Sequence, residues 1–150
     1  MAVGENTFHI PGNTTVTQLK VRYSETDQMG VVYHPHYLSY FEMGRAAWIE
    51  RHWQPYRAFE QRGLLLPLTD ATVQYIKSAH YDETLEIQTT LTRLTPLRVV
   101  FNYHIVRLDD GVLLARGETK LVWVNASFHP VSLKKHWSEA YRHLEQIPRP

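Results

Sequence analysis

The run Ser24-Glu25-Thr26-Asp27-Gln28-Met29-Gly30-Val31-Val32-Tyr33-His34-Pro35, continued by His36 to Arg51, decides how this chain is read. Gly30 closes a turn around Asp27, a short apolar run follows, and Pro35 opens a helix. Proline suits the first helical position because the N–H it lacks would have no partner there. Tyr37, Tyr40, Phe41, Gly44, Ala47 and Trp48 then fall at i, i+3, i+4, i+7, i+10 and i+11, which makes one apolar stripe. The free N–H groups and positive dipole end of such a helix point back toward the Asp27 turn. A carboxylate beside backbone donors suits acyl transfer: one group attacks or activates water, the other holds an oxyanion. Asp is also a residue that turns select for its own sake, because its side chain bonds local N–H groups. Spacing alone favours that second reading of Asp27.

Outward from this run the pattern is mostly strand. Thr17, Leu19, Val21 and Tyr23 alternate with Gln18, Lys20, Arg22 and Ser24, which predicts a half-buried strand. Pro55 opens a second short helix that Gly63 closes. Leu66 to Ile76 is a mixed segment. Thr84 to Leu94 sets Leu85, Ile87, Thr89 and Leu91 against Glu86, Gln88, Thr90 and Thr92. Arg98 to Leu108 is a third run, Asp109-Asp110-Gly111 a hairpin signal, and Val112 to Asn125 the strand that pairs back. Ser138 to Gln146 reads as a terminal helix. Residues 1–14 read as a loose arm and 15–150 as a single domain. A long helix on one face of a curled antiparallel sheet of about five strands is an α+β architecture. One helix covers limited sheet area and the outer strand stays unpaired, which favours a homodimer that continues the sheet.

Bulk properties narrow the function. The 150 residues are 43% hydrophobic and 12% aromatic, with a formal net charge of +1. That balance suits a globular fold and gives no field for nucleic acid or an anionic membrane. With no cysteine there is no disulfide, thiolate metal site or cysteine nucleophile. The first residues carry neither a basic nor an apolar leader segment, and Leu64-Leu65-Leu66-Pro67-Leu68 is far short of the roughly 20 residues of a membrane span. The expectation is a soluble cytoplasmic protein.

Glycine loops for phosphates, a dinucleotide fingerprint and a Gly-x-Ser-x-Gly elbow are all missing. His34 and His36 are two apart and do not share a helix face, so no metal is expected. The plain readings are surface charges for Glu25, Glu42 and Arg45, and core packing for Tyr33, Tyr37 and Trp48.

The segment VRYSETDQMGVVYHPHYLSYFEMGR resembles the signature of the 4-hydroxybenzoyl-CoA thioesterase branch of the hotdog superfamily. Thr26, Asp27, Gly30, Val31, Val32, Tyr33, His34, Tyr37, Leu38, Phe41, Glu42 and Arg45 fall in place in that pattern. Softer echoes are Tyr75 through Asp82 and Gly117-Glu118-Thr119. The extended N-terminal arm departs from the family. The resemblance implies a hotdog fold, a central helix wrapped by antiparallel strands, and an acyl-CoA thioesterase without metal or redox cofactor. It maps the catalytic acid onto Asp27, the oxyanion N–H onto His34 and the close turn onto Gly30. It places the site at a subunit interface of a homodimer or homotetramer. Val32, Tyr33, Tyr37, Phe41 and Trp48 are candidates for the acyl pocket, and Lys77, Arg93, Arg98 and Lys120 for the CoA phosphates. The thiol carrier is left open between CoA and acyl carrier protein. Two other readings stand beside it: a hotdog hydratase or dehydratase with a His base, and a non-catalytic acyl-CoA or carrier-protein binding module.

Overall fold

A computed structural model describes residues 12–150. In chain order the elements are β1 (Thr15–Lys20), α1 (His36–His52), α2 (Tyr56–Gln61), β2 (Leu68–Tyr75), β3 (Thr84–Leu94), β4 (Arg98–Arg107), β5 (Leu113–Val122), α3 (Leu133–His136) and α4 (Ser138–Glu145). The five strands form one antiparallel sheet in the order β1-β3-β4-β5-β2. With α1 laid along one face of the sheet, this is the hotdog arrangement that the resemblance implied.

The periodicities explain these elements. In β3 the residues Leu85, Ile87, Thr89 and Leu91 are buried, while the alternate positions are more open. On α1 the buried set is Tyr37, Tyr40, Phe41, Gly44, Arg45, Trp48 and Ile49. Phe41 stacks on Tyr103 of β4 with ring centres 4.3 Å apart, and Trp48 meets Phe101 edge-on at 5.1 Å. The helix can come this close because Gly44 has no side chain. A Cβ there would overlap Thr89 Oγ1 and lie 2.7 Å from Ile87 Cγ2. Gly63, in the left-handed region at φ +70°, closes α2. A second aromatic cluster joins Trp53, Phe59, Trp123 and Trp137 and seats the C-terminal helices.

Several expectations are corrected. The first strand ends at Lys20, and Tyr23 is 78% exposed. Glu25 Oε1 accepts the Arg22 N–H at 2.8 Å, and the Glu25 N–H bonds the Arg22 carbonyl at 2.9 Å. These bonds turn Tyr23–Glu25 into a 3-10 turn in place of more ladder. Glu25 is therefore buried, not a solvated surface charge. Burial, with that carboxylate beside it, pushes the Tyr40 phenol well up. Arg45 is also buried; its Nη1 donates to the Tyr103 hydroxyl at 3.1 Å, which in turn bonds Thr119 Oγ1 at 2.6 Å. The last strand ends at Val122, because Val124 leaves the ladder for an isolated bridge to Leu65. The short helix α3, capped by Ser132 Oγ on the Lys135 N–H at 3.3 Å, had no counterpart in the sequence reading.

Of the arm read over 1–14, residues 1–11 lie outside the described residues. Asn13 is fully buried: its side chain takes the Leu91 N–H at 2.9 Å and donates to the Leu91 carbonyl at 3.1 Å. It carries the β1–β3 register, Thr15 opposite Thr89, beyond the start of β1.

β2 is the outer strand beside β5, and nearly all its residues are exposed. Among the described residues, no helix is long and apolar enough to cross a membrane.

Candidate active site

The Asp27 turn is a tight hairpin. The Asp27 N–H bonds the Val31 carbonyl at 2.9 Å, and the Gly30 N–H bonds the Asp27 carbonyl at 3.0 Å. Gly30 sits at φ +79°, a conformation that costs a residue with a Cβ. Asp27 Oδ1 accepts the Met29 N–H at 2.8 Å, so the turn reading of this aspartate is realised. No partner is found for Oδ2 among the described residues, and the residue is half-buried. One carboxylate oxygen is thus held while the other is available.

The chain then crosses to α1. The Val32 N–H bonds the Ala79 carbonyl and the Tyr33 N–H bonds the Glu25 carbonyl, both at 2.9 Å. Pro35 is already helical at φ −65° and has no N–H. The His34 N–H, immediately before it, finds no acceptor among the described residues. The His34 carbonyl takes the Tyr75 hydroxyl at 2.9 Å and the Tyr37 N–H at 3.3 Å. Burial raises the Tyr37 and Tyr75 phenols, so both remain protonated at neutral pH.

A cavity of about 290 Å³ collects these groups. Asp27, Met29, Val31 and Val32 come from the turn, and His34 and Tyr37 from the start of α1. Tyr75, Ile76, Lys77 and Ser78 come from the end of β2 and the residues after it. Asp27 and His34 thus line one hollow with mixed polar and apolar walls, each with a group that has no partner among the described residues.

Of the residues singled out in sequence, Asp27, Val32, His34, Tyr37 and Lys77 line this cavity. Gly30 shapes the turn without lining it. Tyr33 is on the surface, with its ring against His34 at 4.8 Å and His36 at 6.0 Å. Phe41 and Trp48 are fully buried between helix and sheet, away from the cavity. Arg93, Arg98 and Lys120 are exposed on strands and do not border it; Arg98 reaches Thr69 Oγ1 at 3.4 Å and Lys120 lies 4.0 Å from Glu118. Sequence reasoning missed Tyr75, Ile76, Ser78 and Met29. The one signal for Tyr75 was its place at the head of the Tyr75–Asp82 echo. No group of three or more His, Asp or Glu placed to hold a metal occurs among the described residues.

The chain matches the thioesterase-like superfamily over residues 21–141. It belongs to that family. YneP of Bacillus subtilis is 34% identical over 127 residues, covering 83% of this chain and 92% of its own. The acyl-CoA thioester hydrolase YbgC of Escherichia coli is 33% identical over 115 residues, covering 75% of this chain and 85% of its own. The solved structure of a DHNA-CoA thioesterase from Staphylococcus aureus superposes with a TM-score of 0.86 at 31% identity, over 89% of this chain and 90% of that one. The fold is the hotdog fold and the chemistry of this thioesterase-family chain is thioester hydrolysis.

Proposed function

We propose that this chain hydrolyses acyl-CoA to a free carboxylic acid and CoA at the Asp27 cavity. The observation that carries the proposal is that Asp27 and His34 line one hollow, with an Asp27 oxygen and the His34 N–H both unpartnered among the described residues. The thioester carbonyl is polarised by the His34 N–H, aided by the positive end of α1. Asp27 either attacks the carbonyl carbon, giving an acyl-aspartyl anhydride that water then opens, or takes a proton from the water that attacks. In both routes the carbon–sulfur bond breaks and the sulfur leaves as CoA thiolate. Lys77 on the cavity wall suits an approaching phosphate. The His34 ring, on the same wall, suits contact with the acyl or thiol portion. The chain needs no metal or redox cofactor for this chemistry.

The working unit of the proposal is a homodimer built on β2, with a tetramer as its extension. Support comes from the exposed outer edge of β2 and from its last residue, Tyr75, lining the cavity. An unpaired strand edge is a template for another chain. CoA is taken as the thiol carrier because the relatives at 33–34% identity are named for acyl-CoA.

The test is thiol release from a panel of acyl-CoAs, followed with a thiol reagent. The chain has no cysteine, so the protein itself contributes no signal. Release with wild type, and its loss by about a thousandfold in Asp27→Asn at unchanged circular dichroism and mass, supports the proposal. Hydroxyacyl-CoA formation without thiol, or no turnover of any member, overturns it.

A further inference from the structure

Arg45 is only 8% exposed, on the flank of α1 that faces β4 and β5. A guanidinium has five N–H donors; Nη1 of this one donates to the Tyr103 hydroxyl at 3.1 Å, and its other nitrogens keep a narrow opening to solvent. None of the ion pairs among the described residues includes Arg45. A buried cation without an anion is costly, and proteins almost always supply one. Glu42 stands one turn earlier on the same helix and is exposed. Residues at this spacing commonly pair, yet Glu42 makes no ion pair or hydrogen bond among the described residues. One turn therefore carries an acid and a base that do not use each other.

The place of that turn in the fold says what completes it. β2 runs Leu68–Tyr75, so its middle lies at Ala71 and Thr72. Gly117 of β5 lies beside this point: a Cβ there would overlap the Thr72 carbonyl and lie 2.5 Å from Phe41 Cε2. The Phe41 turn of α1 is thus level with the middle of the open strand. A second copy can continue the sheet antiparallel with the two-fold axis set at the middle of β2. It brings the Glu42–Arg45 turn of each copy opposite the same turn of the other. An isologous contact pairs residue i with j and j with i. Glu42 against Glu42 is repulsive; the crossed arrangement gives each buried guanidinium a carboxylate.

We propose that Arg45 binds the partner's Glu42 across the two-fold axis, so that the dimer carries two crossed ion pairs. The pair supplies an anion that the described residues of one chain do not, and ties assembly to the middle of α1. This inference rests on the dimer proposed above, and its readout is the dimer dissociation constant, which does not depend on activity.

The experiment is sedimentation of wild type, Glu42→Gln, Glu42→Lys, Arg45→Met and the Glu42→Gln/Arg45→Met double variant. Glu42→Gln is expected to raise the dimer dissociation constant about 30-fold or more, and Glu42→Lys further, since each leaves or adds charge in a desolvated contact. The double variant is expected to dimerise no more weakly than Arg45→Met alone, the mark of a coupled pair. Should the Arg45 variants not fold, the two Glu42 variants decide alone, because that side chain is exposed. A wild-type dimer whose dissociation constant is the same in both Glu42 variants overturns the pair and leaves the thioesterase proposal standing. A wild type that stays monomeric while releasing CoA overturns the pair and the dimer together, but not the chemistry.

Discussion

The Tyr75 hydroxyl donates to the His34 carbonyl oxygen at 2.9 Å, joining the end of the outer strand to the residue that opens the central helix. His34 is thereby held on both sides. Its carbonyl is fixed by the strand while its N–H has no acceptor among the described residues. Removing the hydroxyl with Tyr75→Phe keeps the ring packing against Tyr37 but releases the carbonyl. The expected outcome is a fall of about tenfold in kcat with KM little changed, the worth of one well-placed hydrogen bond. Steady-state kinetics on the best acyl-CoA of the panel checks it; equal kcat in the variant excludes a positioning role.

Gly44→Ala is expected to destabilise the fold by about 2 kcal/mol, lowering Tm by roughly 5 °C, because the added methyl overlaps Thr89 and Ile87. Thermal unfolding followed by circular dichroism measures this. The paired variant Gly44→Ala/Thr89→Ala, which removes the overlapping hydroxyl, should recover part of the loss.

Asn13→Ala should cost about 3 kcal/mol. It leaves the Leu91 N–H and carbonyl unpaired in a site with no access to water. Urea unfolding reads the change in midpoint. A midpoint equal to wild type would mean that the start of the described chain contributes nothing to stability.

Stability should fall as the pH drops below the ordinary histidine range near 6.5. Burial, with Arg51 nearby, holds His52 below that value; His104 moves the same way beside Arg116 but stands exposed on β4 and contributes little. The unfolded chain then takes up protons first as pH falls, so stability present above the unfolded value is lost on the way down to the folded ones. Melting temperatures taken between about pH 7 and about pH 5 should decline, and the decline should be shallower in His52→Gln. A profile that rises toward acid contradicts the assignment to His52.

The parts of this fold that depend on neighbours in sequence were legible without the structure. Thr84–Leu94 was read with its buried face because alternation is set by a two-residue period. The helix after Pro35 was read because its apolar positions recur every three or four residues. The Asp27 turn followed from Asp and Gly at fixed spacing, and the long motif marked Asp27 and His34 as one site. Strand ends were less legible. The stop at Lys20 depends on Glu25 capturing the Arg22 N–H, a choice that alternation does not encode.

By itself, then, the chain's order of residues determined the helix, the alternating strands, the aspartate turn and the family to which they belong, since each is written in local spacing. Tertiary structure alone decided what surrounds them. Tyr75 reaches His34 across 41 positions, Asn13 reaches Leu91 across 78, and Arg45 loses its solvent to Tyr103 across 58. Burial and partnership are properties of packed surfaces, and a surface exists only when distant segments have come together.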